Sequence, residues 1–266
     1  IAMLDGFDTQ SIAFVAPKIA EDWGLSPSAF GPIFAVGLLG LTVGAFTLSP
    51  AADKFGRKAV ILVSTLIFGL FALLTAYASS MNELLIYRFI TGIGLGAAMP
   101  NIIALTSEYG PARLRATLVT VMFCGFPLGS TIGGLVSTGL IANWGWESVF
   151  FVGGILPLLM LPVLYFMLPE SVRFLVAKGA PESKIAPIVK KIDANASVAE
   201  FIEGLKHEQS TAKKGFSIFQ LFTEGRAPVT LLLWVAFFMN LLVMYFLVNW
   251  LPTLLKGAGL PLSMAI

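Results

Sequence analysis

Six apolar stretches of about twenty residues follow one another between residues 1 and 168, and a seventh fills 228–252. Stretches of that length match the hydrocarbon core of a bilayer, about 30 Å thick, at a helical rise of about 1.5 Å per residue. In lipid every backbone amide and carbonyl has to be satisfied within the crossing segment, so each stretch is predicted to be a helix. Hydropathy sets the spans at 1–20, 32–51, 59–78, 84–106, 116–142, 148–168 and 228–252. The first opens inside its apolar run at Ile1 and is expected to be truncated; another run begins near Pro261. Composition agrees with an all-α, multi-pass membrane protein. Charged residues make up 12% of the chain and hydrophobic ones 57%, whereas soluble domains carry about 25% charge.

The joints between the first six spans are short: Glu21-Asp22, Asp53 to Lys58, Ser79 to Glu83, Ser107 to Arg115 and Asn143 to Glu147. Neighbouring spans are therefore antiparallel. Residues 170–227 differ, holding 16 of the 32 charges. Fourteen of the seventeen Lys and Arg residues fall on the side of this long segment, against Lys18 and Lys256 on the other, with Arg88 inside a span. Cytoplasmic loops carry the excess of Lys and Arg, so the long segment is expected to be cytoplasmic and the first span to run outward. Within it, Ile185, Ile188, Val189 and Ile192 recur at helical spacing beside Lys184, Lys190 and Lys191, and Phe216, Phe219 and Phe222 repeat in a similar way. Both patterns predict short amphipathic helices lying on the membrane face, within what is otherwise a tether.

Several functions are excluded early. A net charge of +2 without a basic stripe gives nucleic acid nothing to bind. Cys124 is the only cysteine, so no internal disulfide forms, and its apolar neighbours Val121 to Gly125 predict a buried structural thiol. His207, the only histidine, cannot make a metal site alone. No nucleophile–base pair supports an enzyme, and no cofactor is expected.

Ionisable groups deep in a membrane are costly and are candidates for function. They are few here: Asp5 and Asp8 in the first span, Arg88 in the fourth, and Glu108 at the fourth span's end. Asp5, Asp8 and Thr9 share one helical face. Desolvation favours the neutral form of such a carboxyl group and a nearby cation the charged form, and a group balanced between the two can carry a proton. A static Asp–Arg pair is the alternative. Small residues also line faces, with Gly37, Gly40 and Gly44 in the second span and Gly125, Gly129 and Gly133 in the fifth. Such faces let helix backbones approach closely in lipid.

Four motifs carry a resemblance. Asp53-Lys54-Phe55-Gly56-Arg57-Lys58 resembles the signature between the second and third spans of the major facilitator superfamily, and Arg88-Phe89-Ile90-Thr91-Gly92-Ile93-Gly94-Leu95-Gly96 its fourth-span signature. Gly129-Ser130-Thr131-Ile132-Gly133-Gly134 is similar to its fifth-span signature, and Pro169-Glu170-Ser171-Val172-Arg173-Phe174-Leu175 to the close of the sixth span in sugar and organic-acid porters. Ser49 and Ser130 depart from the usual Gly and Pro. Asp5-Gly6-Phe7-Asp8-Thr9 and the run from Met99 to Tyr109 resemble, more narrowly, the bacterial aromatic acid/proton symporters.

The resemblance implies a major facilitator fold in which 1–168 is the N-terminal bundle, 169–227 the central cytoplasmic loop, and 228–266 the start of a second bundle. It implies proton-coupled uptake of an aromatic carboxylic acid such as benzoate or a hydroxybenzoate by alternating access, in the inner membrane of a bacterium. The bilayer, the organic acid and protons are the expected partners, and a monomer the expected state. Asp5 and Asp8 match aspartates needed for transport in that group, and the related sugar porters imply pairing of Asp8 with Arg88. The rise per residue sets Asp8 roughly 15–18 Å below the outer end of its span and Arg88 about 6 Å below its own. A cytoplasmic gate is expected from Asp53, Gly56, Arg57, Glu108, Arg113, Arg115, Glu170 and Arg173, with Asp53 capping the third helix and Gly56 turning the joint. Lys54 and Lys58 are expected to be anchors only. Asn101, Asn240, Tyr245 and Asn249 are candidates to line the substrate site. A sugar or aliphatic acid carrier, and a sensor of the same fold that does not transport, are the alternative readings.

Overall fold

The computed structural model describes residues 1–111, 113–192, 197–211, 221–223, 225–261 and 264. Every regular element among them is helical. Six long helices come first: α1 (Ala2–Asp22), α2 (Gly31–Thr47), α3 (Arg57–Thr75), α4 (Met81–Tyr109), α5 (Arg115–Trp144) and α6 (Glu147–Met167). Three short ones follow, α7 (Val172–Ala177), α8 (Glu182–Ile192) and α9 (Val198–Thr211), and then the long α10 (Ala227–Gly257). Six described helices are long and apolar enough to cross a membrane: α2 with its flanking turns, α3, α4, α5, α6 and α10. The remaining long helix, α1, carries Asp5, Asp8 and Lys18 but turns both aspartates inward and buries thirteen of its residues.

Helix ends extend past the hydropathy boundaries where polar side chains satisfy them. At the start of α4, Ser80 Oγ accepts from the Glu83 amide at 3.3 Å while the Glu83 carboxylate accepts from the Ser79 amide at 2.8 Å. This reciprocal capping supplies partners for amides that the helix itself leaves open.

The bundle is assembled in pairs, α1 with α5, α2 with α4, and α3 with both α4 and α6, while α10 leans on α1. Glycine sets the closeness of these pairs. A Cβ on Gly40 or Gly44 of α2 would overlap the Phe89 or Ile93 carbonyl of α4, and one on Gly92 or Gly96 of α4 would overlap the Gly37 or Leu41 carbonyl of α2. The α1–α5 seam repeats the device, with Gly6 against the Phe126 carbonyl and Gly129 against that of Met3. Packing at this distance replaces the hydrophobic drive that lipid removes. At the end opposite the long loop, Phe7, Ile12, Val15, Ile19, Phe30, Ile33, Phe34, Leu84, Val149 and Phe150 form one core.

The long loop departs from expectation. The apolar face of α8 does not lie on a membrane surface. Ile185 and Val189 are buried against Val172 and Val176 of α7 and Leu205 of α9, a small core of their own. Each of the three helices is too short to be stable alone, and stacking buries the apolar stripe that each presents. Phe216 and Phe219, and the start of a further span after Pro261, lie outside the described residues, as does the side chain of Ile192. Phe222 packs edge-on against Trp234 of α10, with ring centroids 5.5 Å apart. Cys124, expected to be buried, is exposed on α5.

Candidate functional site

The ionisable residues inside the bundle come together. Asp8 is wholly buried, and Arg88 is 4% exposed. The Arg88 guanidinium reaches both carboxylate oxygens of Asp8, at 3.2 and 3.3 Å, and donates to the Asp8 backbone carbonyl at 3.2 Å. The guanidinium also lies over the Phe150 ring, 5.9 Å from its centroid. One turn away on α1, buried Asp5 accepts from the Thr9 hydroxyl at 3.1 Å. Two carboxylates, one cation and an aromatic face thus share a desolvated region. Removing one partner from such a pair costs about 3–5 kcal/mol, because the other is left buried and unmatched.

Cavities flank α1 on two sides. The narrow one, about 30 Å³, is lined by Thr9 and Ile12 of α1, Phe34 and Gly37 of α2, Arg88 and Gly92 of α4, and Tyr245 and Asn249 of α10. That is space for about two waters. The wide one, about 410 Å³, lies between α1, α5 and α10 and is lined by Gln10 and Phe14, by Ser130, Thr131 and Thr138, and by Leu247 and Leu251. Ser130 and Thr131 stood out in the sequence only as part of the fifth-span motif, and none of these residues was expected to line a site. Their signal was present as i, i+4 and i, i+7/i+8 spacing, but polar residues of this size are common on buried helix faces.

Of the four residues expected to line a site, Tyr245 and Asn249 face the narrow cavity beside Arg88. Asn101 is committed elsewhere. Its amide donates to the Ser49 hydroxyl at 3.2 Å and to the Ala97 carbonyl at 2.9 Å, fastening α4 to the end of α2. Asn240 is exposed on α10, away from both cavities.

At the loop-side end of the bundle, part of the expected charge cluster forms. Arg57 makes an ion pair with Glu108, and the Ser171 hydroxyl donates to the other Glu108 oxygen at 2.6 Å. Glu170 Oε1 accepts from the backbone amides of Arg57, Lys58 and Ser171 at 2.9, 3.1 and 2.8 Å. The Tyr109 hydroxyl donates to the Glu170 carbonyl at 2.9 Å. Glu170, not Asp53, therefore caps α3. Gly56 adopts φ +96°, which only glycine takes readily, and the chain reverses there so that Asp53 stays exposed on a separate short helical turn, Ala52–Phe55. A Cβ on Gly56 would also collide with the Glu170 carboxylate. Lys58 does more than anchor, donating to the Tyr165 carbonyl at 2.6 Å. Arg113, Arg115 and Arg173 are exposed at this end. For Arg113 and Arg115 no ion pair with a described residue forms, so the structure does not bring them into the cluster.

The opposite end holds a contact that the sequence did not suggest. Lys256 of α10 pairs with Glu21 of α1 at 2.8 Å and donates to the Pro17 carbonyl at 3.3 Å. Trp250 packs edge-on against Phe34 with centroids 5.4 Å apart. These contacts hold α10 near its far end, while most of its length is exposed.

Comparison with known proteins places this arrangement. The profile of the Major Facilitator Superfamily matches residues 1–266. Over its whole length the chain is 46% identical to the 4-hydroxybenzoate transporter PcaK of Acinetobacter baylyi, of which it covers 58%. It is 45% identical to a gallate transporter of Pseudomonas putida, again covering 58%. The chain thus spans under two thirds of the length of these curated relatives. Among solved structures, a double Trp mutant of XylE superposes with a TM-score of 0.78 at 23% identity, over 99% of this chain and 62% of that one, a likeness of fold.

Proposed function

Because the chain belongs to the major facilitator superfamily, we propose that it forms the N-terminal bundle and the start of the second bundle of a proton-coupled aromatic acid carrier in a bacterial inner membrane. The family membership agrees with the absence of an enzymatic role expected from the sequence. Two relatives named for the transport of hydroxylated benzoates support the substrate class. The observation that carries the coupling is the Asp8–Arg88 pair, buried in the bundle with a second carboxylate one turn away. Proton uptake by Asp8 would weaken its hold on Arg88, so one protonation event can release a contact between two helices. Alternating access would rock the two bundles about a central site. Uptake of labelled 4-hydroxybenzoate by cells producing the complete carrier should collapse on addition of a protonophore. Uptake that survives the protonophore would sink the coupling.

On this reading the loop-side end is cytoplasmic. Ser210→Cys in a Cys124→Ser background should react with membrane-impermeant thiol reagents only from the cytoplasmic side. Labelling in intact spheroplasts would invert every inside/outside assignment.

Arg57, Glu108, Ser171 and Glu170 then form the N-terminal half of a cytoplasmic gate. In the complete carrier, Arg57→Ala should lower transport about tenfold while substrate binding falls much less, since this cluster lies far from both cavities. Charge pairs at this partial exposure are worth about 1–3 kcal/mol, enough to shift a two-state balance by that factor. Equal loss of binding and transport at normal expression would point to a purely structural role.

A further inference from the structure

Arg88 is held by three contacts, and only one of them can change charge. Its Nη1 reaches the Asp8 carboxylate at 3.2 and 3.3 Å, its Nη2 donates to the Asp8 backbone carbonyl at 3.2 Å, and its guanidinium carbon lies 5.9 Å from the centroid of the Phe150 ring. The carbonyl and the ring do not titrate. Helix α6 both brings the ring and makes room for the carboxylate. A Cβ on Gly153, three residues on from Phe150, would stand 3.8 Å from Asp8 Oδ1 and 3.1 Å from the Phe7 ring. Among the described residues, Asp5 of α1 and Tyr245 of α10 are the other titratable groups turned to this region, and α6 turns none to it.

The ring itself is fixed in place. Phe150 is wholly buried. Trp146, one turn earlier, meets it edge-on with centroids 6.1 Å apart, and Trp23 at the end of α1 meets Trp146 in turn at 5.9 Å. Edge-to-face contacts of this kind are the favoured arrangement of aromatic pairs, so a chain of three rings runs from the end of α1 to Arg88. Lys54, Lys58 and Lys178 also lie over rings, but at the loop-side end of the chain. Water competes for an ammonium there, whereas a desolvated cation gains more from a ring face.

When Asp8 takes up a proton the guanidinium keeps its charge, since it does not lose its own proton in a protein. A cation deserted in an apolar region is costly, and would leave for other partners. Resting on the coupling reading above, we propose that Phe150 keeps Arg88 in position while Asp8 is neutral, so that the carboxyl group, not the guanidinium, is the part that moves. The face of the ring attracts the cation in either state of Asp8. Proton release then re-forms the same pair with a partner already in place. Phe150 carries no proton itself and acts as a positioning residue.

The test replaces Phe150 in the complete carrier by phenylalanines bearing one, two and three ring fluorines, which drain charge from the ring face while nearly keeping its shape. Membrane levels are measured throughout. Proton-driven uptake of labelled 4-hydroxybenzoate should fall stepwise with each fluorine. Exchange of labelled for unlabelled substrate, which needs no net proton movement, should fall much less. Phe150→Leu, which keeps apolar bulk without the ring face, should lower proton-driven uptake roughly tenfold, the size of effect expected of a desolvated cation over a ring. Should Phe150→Leu not reach the membrane, the fluorinated series decides alone. Uptake indifferent to fluorination, or uptake and exchange falling together, would show a ring that only fills space and overturns the role of Phe150; with uptake still collapsed by a protonophore, the coupling reading stands. Uptake that is absent from the unmodified carrier, or that ignores a protonophore, overturns the coupling reading and the role of Phe150 with it.

Discussion

Asp8→Asn in the complete carrier should abolish accumulation of substrate against its gradient while exchange of labelled for unlabelled substrate persists. The amide keeps the size of the carboxyl group and can still accept from Arg88, so the geometry at 3.2–3.3 Å has little reason to collapse. What it loses is the ability to change charge. A carrier that cannot take up and release a proton at this point runs downhill only. Arg88→Ala should be harsher, lowering both accumulation and the amount of folded protein, since it leaves a buried carboxylate without its counter-charge at a cost of about 3–5 kcal/mol. Accumulation by Asp8→Asn that still follows the pH gradient would remove Asp8 from the mechanism. The same assay on Asp5→Asn would then show whether the first helix couples protons at all.

The second large effect concerns assembly. Gly44→Val or Gly96→Val should leave little carrier in the membrane or in monodisperse detergent extracts, because each new side chain would drive into a backbone carbonyl of the facing helix. Overpacking costs about 1–3 kcal/mol where side chains can give way; a main-chain obstacle cannot. Gly139→Ala, whose added carbon meets nothing within 4 Å, is the control and should behave as the unmodified protein. Normal yield and thermal stability of Gly44→Val would mean that α2 and α4 are not in this contact.

What the sequence disclosed follows from the range over which each feature acts. Spans were legible because hydropathy is local, and their ends were misjudged where Ser80 and Glu83 cap α4 beyond its apolar run. The turn at Gly56 was legible for the same reason. The cap on α3 was not. Asp53 sits at a plausible distance before the helix, but the acceptor is Glu170, more than a hundred residues later. The loop pattern Ile185, Ile188, Val189 gave an amphipathic helix correctly, but periodicity cannot say whether protein or lipid covers the face; α7 and α9 do. Asn101 illustrates the same limit, since its partner Ser49 belongs to another helix. For Asp8 and Arg88, counting residues from span boundaries sets the two at different depths, because it assumes that helices end in one plane. With Asp8 and Arg88 paired, the end of α1 at Asp22 stands about 10 Å beyond the start of α4 at Met81, since the first lies about 21 Å and the second about 10 Å from the pair along its helix.

The Glu170 cap also bears on how the chain is made. A ribosome delivers residues in order, and α3 is complete long before Glu170 leaves the exit tunnel. Until then the amides of Arg57 and Lys58 lack the acceptor that the finished bundle gives them. Open amides at a helix start are tolerable in water and costly in a bilayer, so until then the first turn of the third helix has to find its partners in water. The contact can close only once the sixth helix is in place, because Glu170 follows it directly. One carboxylate oxygen bonded to three amides thus ties the third helix to chain made only after the sixth.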